Sequence, residues 1–301
     1  MFEIPDDVIG WVHTVFCDCN TRLSEKLSNN PNTPETSLDV TFIEHLSRYA
    51  SPISIGKNWT VRIDTHFIGG RRHFYGWEVA DIGVLVFYRQ AGSIVRKKVA
   101  LLQSKRLYPL RGTVDEETRE DVIIGISTLD QSEPTGLPIS RPINYKFDKE
   151  SKYKAFKKQD SQFSAISQWN QENKVPVHYM FYNPWKLPFS QQVPLSKYQK
   201  PSGNCKLGTR VIPSEVLFQH LADKPKNYVP RIGELKAILP KPQTWAENAY
   251  GRRLESFFVR LLTCNEGYVY ESDRDASIDR FFYRKDAMLS AAISITVELN
   301  G

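Results

Sequence analysis

The chain has 301 residues, of which 41% are hydrophobic and 25% are charged, so it can bury a substantial core in one large domain or two smaller ones. It has no run of about 18 apolar residues, so we expect no transmembrane helix. The amino terminus lacks a basic region followed by an apolar stretch, so we expect a cytoplasmic protein without a secretory signal. The net charge of +6 is a mild basic bias that does not by itself establish nucleic-acid binding.

Two helices are predicted before the first strand. Pro5 and the two aspartates after it favour a helix start, and apolar positions at helical spacing continue to about Leu27. A second helix is predicted after Ser37, a plausible N-cap, and extends to about Tyr49. The alternating run from Trp59 to Phe67 then predicts the first strand.

The stretch from Trp77 to Tyr108 predicts a two-stranded hairpin. Val79 to Tyr88 is rich in β-branched and aromatic residues, and Lys97 to Gln103 is nearly all apolar after its two lysines. The loop between them, Arg89 to Ser93, contains the glycine that is typical of a hairpin turn. Because both runs are too apolar for a strand with one face in water, we expect central strands that are covered on both sides.

Three polar side chains stand at the ends of these two strands. Asp81 opens the first strand, and Gln103 and Lys105 close the second. The start of one antiparallel strand lies beside the end of the next, and residues two apart share a face. We therefore expect a carboxylate, an amide oxygen and an ammonium group to converge at one edge of the sheet.

That set of groups suits phosphodiester hydrolysis assisted by Mg²⁺, with Mn²⁺ as the alternative ion. Asp81 would supply a hard oxygen ligand and Gln103 a neutral one through its side-chain carbonyl. Lys105 would orient the attacking water or stabilise the charge that develops on the phosphate.

An Asp, a hairpin and then Gln-x-Lys resembles the PD-(D/E)xK nucleases, the restriction-endonuclease-like superfamily, in a Gln-x-Lys variant of the kind found in bacterial anti-phage defence proteins. The chain departs from the commonest pattern because Gln103 stands where Glu or Asp is usual. The resemblance covers roughly residues 37 to 184. It implies an α/β fold, namely a three-layer α/β/α core with a mixed central sheet.

The same resemblance implies an activity and partners. It points to a Mg²⁺-dependent endodeoxyribonuclease whose substrate is nucleic acid, most naturally DNA. Chains of this kind act in bacterial defence against phage or plasmids, often beside a helicase, ATPase or sensor protein.

The family also carries a Glu on the helix that precedes its first strand, and this chain offers two candidates. Glu35 lies just before the predicted N-cap, and Glu44 lies within the helix. We prefer Glu35 because similar nuclease chains place the acid just before the Leu that opens this helix, although Glu35 could simply interact with the helix dipole. Glu78, three residues before Asp81, is a reserve metal ligand whose charge would offset the missing carboxylate at Gln103.

The pattern resumes with a helix predicted over about residues 153–173 and a buried strand over about 176–182. Helix, three strands, helix and strand follow the core order of the family, with the later helix as a crossover connection. We expect residues 1–190 to form the nuclease-like core with its N-terminal helices. Residues 191–301 are expected to form a C-terminal α+β extension packed on or beside that core.

Lysine and arginine side chains are concentrated in the hairpin and on the approach to the later helix. A phosphate backbone needs such patches near the bond that is cut, although a solvated charged face is commoner in general. The alternative function is a module of the same fold with an incomplete carboxylate set, which would bind nucleic acid or a partner protein without cutting. Gln103 is the residue that keeps this alternative open.

Overall fold

The structure, a computed structural model, describes residues 3–68, 79–111, 143–193, 198–201, 205–235, 252–263, 266–270 and 289–300. The helices within these ranges are α1 (Asp6–Asn29), α2 (Glu35–Ser47), α3 (Ser161–Glu172), α4 (Ser214–His220), α5 (Ile232–Leu235) and α6 (Leu254–Thr263). The strands are β1 (Ile53–Ile55), β2 (Trp59–Phe67), β3 (Ile82–Gln90), β4 (Ser93–Arg106), β5 (Leu110–Arg111), β6 (Ile143–Phe147), β7 (Val177–Tyr182), β8 (Phe189–Val193), β9 (Arg210–Pro213), β10 (Arg252–Arg253), β11 (Tyr268–Tyr270) and β12 (Ala291–Leu299). None of the described helices is long and apolar enough to cross a membrane.

Within the described ranges, nine strands form one large sheet. Their order is β1-β2-β12-β3-β4-β7-β9-β10, and β11 also pairs with β4. β12 is antiparallel to β2 and parallel to β3, and β4 is antiparallel to β3 and parallel to β7. Strands β5, β6 and β8 form a separate small sheet. The prediction of an α/β fold with a mixed central sheet is therefore confirmed.

The predicted hairpin is confirmed as β3 and β4, with both strands longer at the turn than expected. Ala91 and Gly92 form the turn, with φ angles of 46° and 80°. Positive φ at both central residues gives a turn whose twist matches that of the strands, and glycine adopts it without strain. Asp81 is the residue immediately before β3. Gln103 and Lys105 lie near the C-terminal end of β4, far from the turn.

Helices cover both faces of the sheet at β7. The ring of His178 packs edge-on against Phe257 of α6, with centroids 5.0 Å apart, whereas Tyr179 contacts Phe218 of α4 at 6.1 Å. Successive side chains of a strand point to opposite faces, so α6 and α4 lie on opposite sides. This double cover explains why every residue of β7 is buried, as expected of a central strand.

The C-terminal segment belongs to the central sheet. The sequence predicts an extension on or beside the core over residues 191–301, but β12 lies between β2 and β3 and is hydrogen-bonded to both. The side chains of Ile293, Ile295 and Val297 are fully buried. A strand this apolar gains most from a central position, where both backbone edges are paired and one face is covered. Without β12, the facing edges of β2 and β3 would have no partner in the described sheet.

Replacing Ile295 with alanine tests the central position of β12. We expect the free energy of unfolding to fall by about 2–5 kcal/mol, because the substitution leaves a cavity in a fully buried strand. Ile94→Ala in β4 is the matched control, since the Ile94 side chain is 49% exposed and its loss should change stability by about 0.5 kcal/mol or less. Urea unfolding measures both, and equal stabilities of the two variants would contradict the central position.

Candidate active site

Asp81 and Gln103 are in contact at the end of the hairpin. The Asp81 backbone N–H donates to the Leu102 carbonyl at 2.9 Å, so the β3–β4 ladder continues one residue beyond β3. Gln103 Nε2 donates to Asp81 Oδ2 at 2.5 Å, and the Ser104 backbone N–H donates to the same oxygen at 2.8 Å. Asp81, Gln103 and Ser104 are all buried. The structure thus brings together the first two residues that the sequence predicts for the site.

The side-chain oxygen of Gln103 is a buried acceptor without a hydrogen-bond partner among the described residues. Buried polar atoms are nearly always satisfied, and leaving one unsatisfied costs about 1–3 kcal/mol. An amide oxygen beside a carboxylate is the kind of ligand that a hard divalent cation takes. The unpartnered Gln103 oxygen therefore fits a metal ligand.

Helix α2 brings Glu35 to Lys105. Lys105 Nζ lies 3.3 Å from Glu35 Oε1, and the Arg106 backbone N–H donates to Glu35 Oε2 at 3.0 Å. The helix begins at Glu35, two residues before the N-cap predicted at Ser37, so Glu35 occupies its first turn. The other candidate, Glu44, is exposed. Of the two acids considered for this helix, Glu35 is the one that the structure places beside Lys105.

Asp39 is a third carboxyl group in the site and is absent from the residues predicted from the sequence. Its Oδ1 accepts hydrogen bonds from Ser104 Oγ at 2.6 Å and from Tyr182 Oη at 2.7 Å. Residues four apart lie on one face of a helix, so the spacing of Glu35 and Asp39 is the signal that could have identified Asp39. The site therefore draws on α2, β4, the residue before β3 and the end of β7.

Burial and the proximity of Asp81 raise the pKa values of two carboxyl groups in the site, Asp39 and Glu35. Burial and then the charge of Asp81 raise the pKa of Asp39 from an ordinary value near 3.8 to about 8, against the opposing effect of its hydrogen bonds from Ser104 and Tyr182. Burial also raises the pKa of Glu35, and the nearby ammonium of Lys105 opposes this shift. Additional positive charge would lower these pKa values again, and such perturbed groups are frequent at functional sites.

A divalent cation in this site would rely on a mixed set of donors. Within the described ranges, no three His, Cys, Asp or Glu side chains are close enough to form a metal centre by themselves. Asp81 would supply a carboxylate and Gln103 its unpartnered oxygen, a combination that suits Mg²⁺. Glu78, the predicted reserve ligand, lies outside the described residues.

Comparison of the chain with protein-family models, with curated proteins and with solved structures gave no match. The case for a function therefore depends on the side chains in the cluster and on the resemblance of the Asp and Gln-x-Lys pattern.

Asp39→Asn tests whether the Asp39 carboxyl group is protonated in the folded protein. With a folded-state pKa of about 8 against an ordinary value near 3.8, the folded state keeps a proton that the unfolded state has lost. The Asp39 carboxyl group should therefore reduce wild-type stability as pH rises from about 4 to about 8, by at most about 1.4 kcal/mol per pH unit. Asparagine stays neutral and keeps an acceptor for Ser104 and Tyr182.

The stability of the Asp39→Asn variant relative to wild type should consequently increase across that pH window and level off above it. Urea unfolding at a series of pH values measures this difference, which cancels the contributions of groups common to both proteins. A difference that does not change with pH would show that Asp39 ionises as an ordinary carboxylate.

Proposed function

We propose that this protein is a metal-dependent nuclease that hydrolyses phosphodiester bonds in DNA. The observation that carries the proposal is the buried cluster in which Gln103 contacts Asp81 and Lys105 contacts Glu35. The resemblance to the Gln-x-Lys variant of the PD-(D/E)xK superfamily supports it. The family's three-layer core would then correspond to the mixed sheet and the helices that cover both of its faces at β7.

Asp81 and Gln103 would hold the ion through oxygen atoms. Bound Mg²⁺ or Mn²⁺ would supply a Lewis acid for the phosphate and lower the pKa of the attacking water. Two donors, Gln103 Nε2 and the Ser104 N–H, orient the Asp81 carboxylate before any ion arrives. Such supporting hydrogen bonds fix ligand geometry and tune affinity. Asp39 would act indirectly, because it accepts a hydrogen bond from the hydroxyl group of Ser104, whose backbone N–H contacts Asp81.

Lys105 is the catalytic cation in this proposal. Its side chain is buried, and Glu35 holds its ammonium group at the strand end. An ammonium group in a water-poor site stabilises developing phosphate charge more strongly than it would in bulk water. A phosphate oxygen or the attacking water would contact the Lys105 ammonium group, which would keep its contact with Glu35. A role in bacterial defence, with a helicase, ATPase or sensor as partner, follows from the resemblance and is part of the proposal.

A module that binds nucleic acid or a partner protein without cutting is the second candidate. The hydrogen bonding within the site favours it, because Gln103 Nε2 and Lys105 Nζ each already contact a carboxylate. Gln103 also gives the site one formal charge fewer than an acidic residue would, which weakens its hold on a divalent ion. Calorimetry with Mg²⁺ or Mn²⁺ separates the candidates, since no binding at millimolar concentration favours the module.

Lys105→Ala should lower the rate of Mg²⁺-dependent plasmid cleavage by about 10²–10³-fold, the usual loss when one preorganised donor to the transition state is removed. Lys57→Ala, an exposed lysine outside the cluster, is the control and should cut at the wild-type rate. Both variants are compared as purified proteins of equal thermal stability. Undiminished cleavage by Lys105→Ala would remove the role assigned to this residue.

Gln103→Glu restores the carboxylate that is usual in the family. Without metal, the variant loses the donor to Asp81 and places a second negative charge beside it, so its melting temperature should fall. With Mn²⁺, the added charged ligand should raise metal affinity by about tenfold or more. Titration calorimetry and thermal unfolding with and without Mn²⁺ measure both effects. Gln192→Glu on an exposed position of β8 is the control, and equal Mn²⁺ affinity in the two variants would argue against a metal site at Gln103.

A further inference from the structure

A cavity of about 490 Å³ adjoins the candidate active site and has no part in the roles proposed above. Its lining includes Asn32, Arg106, Tyr108, Tyr145 and Lys154. Its volume falls in the range of about 300–1,000 Å³ that is typical of pockets for small ligands. Arg106 belongs to both places, because its backbone N–H contacts Glu35 while its side chain lines the cavity.

The guanidinium group of Arg106 is held in the wall of this cavity. Its Cζ lies 3.9 Å from the centre of the Tyr108 ring, and its Nη1 donates to the Pro31 carbonyl at 2.8 Å. The residue is 7% exposed, its Nε has no hydrogen-bond partner, and no carboxylate pairs with it in the part of the chain that the structure describes. A buried cation without an anion is costly, and the planar guanidinium matches phosphate oxygens in pairs.

Lys154 adds a second positive charge to the same wall. Its ammonium nitrogen lies 5.6 Å from the centre of the Tyr108 ring, so the Tyr108 ring contacts both cations. The described residues of the lining include no Asp or Glu, and no described carboxylate forms an ion pair with Lys154. Two cations with no acid among these described residues create a positive potential that selects for an anion. The lining also includes a neutral pair, in which Asn32 Nδ2 donates to the Tyr145 hydroxyl at 2.6 Å.

We propose that this cavity binds one nucleotide of the substrate strand, with its phosphate against Arg106 and Lys154, next to the bond that is cut. The inference rests on the proposed function in one respect, since it takes the nucleotide to be part of the strand that reaches Lys105. The volume exceeds that of a phosphate group alone, and the remaining lining, which includes Leu110 and Tyr145, offers surface for a sugar or a base. A free nucleotide carries the same chemistry and is distinguished from the strand by the experiment.

The test is the binding of a fluorescent oligonucleotide to the full chain in EDTA, where no cleavage occurs, at several salt concentrations. Lys154→Ala should weaken binding by about tenfold and reduce the magnitude of the slope of log affinity against log salt concentration by about 1. Lys157→Ala is the matched control, because Lys157 is exposed in the same segment but is outside the lining of the cavity. Arg106→Lys keeps the positive charge but removes the paired N–H donors of the guanidinium group, so it should weaken binding as well.

Unchanged affinity and salt slope in Lys154→Ala, with normal binding by wild type, would overturn the cavity assignment and leave the proposed cleavage standing. If wild type does not cut DNA with Mg²⁺ or Mn²⁺ while Lys154→Ala binds the oligonucleotide weakly, the cavity still binds a nucleotide of the strand and the nuclease proposal falls. A mononucleotide added in millimolar excess should displace the oligonucleotide only weakly. Displacement at micromolar mononucleotide would identify a free nucleotide as the ligand and overturn the assignment to the strand.

Discussion

The pairing of Ile82 with Leu102 is the constraint on which the site depends. That register places Asp81 beside Gln103, the next pair along the antiparallel ladder. A slip of one residue would turn Gln103 and Lys105 to the other face of β4. Because the paired strands are buried along most of their length, such a slip would also expose core side chains. The hydrophobic pattern of the hairpin thus determines which polar side chains meet at its end.

Among the described residues, the site holds more carboxyl groups than cations, and this imbalance links its protonation to its proposed metal binding. Besides burial, the charge of Asp81 raises the pKa values of Glu35 and Asp39, while Lys105 is the described ammonium group that contacts Glu35. Uncompensated charge is expensive when it is buried, so Asp39 keeps its proton to about pH 8. A divalent cation would relieve the same repulsion. The proton on Asp39 and the proposed metal ion would therefore relieve the same repulsion, so the binding of one should weaken the binding of the other.

Local patterns predicted the hairpin, α2 and the residues Asp81, Gln103 and Lys105, because alternation, a turn glycine and a spacing of two are properties of short segments. The position of β12 was not predictable in this way, since nothing within an apolar strand specifies which distant strands it pairs with. Asp39 was missed for a similar reason. An acid next to Leu38 resembles an ordinary helix residue until the hydroxyl groups of β4 and β7 are placed against it.

The C-terminal segment contributes to the site through hydrogen bonds and through packing. The backbone N–H groups of Ser290 and Ala291 donate to the Asp81 carbonyl oxygen at 3.0 Å and 3.2 Å. Phe42 lies one turn beyond Asp39 in α2, and its ring centre is 6.4 Å from that of Phe16 and 6.2 Å from that of Phe258. Phe16 and Phe258 are themselves stacked at 3.6 Å, which joins α1 to α6. The helix that carries the two acids is therefore held by a helix from the last fifty residues of the chain. Since catalytic geometry tolerates errors of only about 0.5 Å, the aromatic contacts between α1, α2 and α6 position the proposed chemistry as directly as the sheet does.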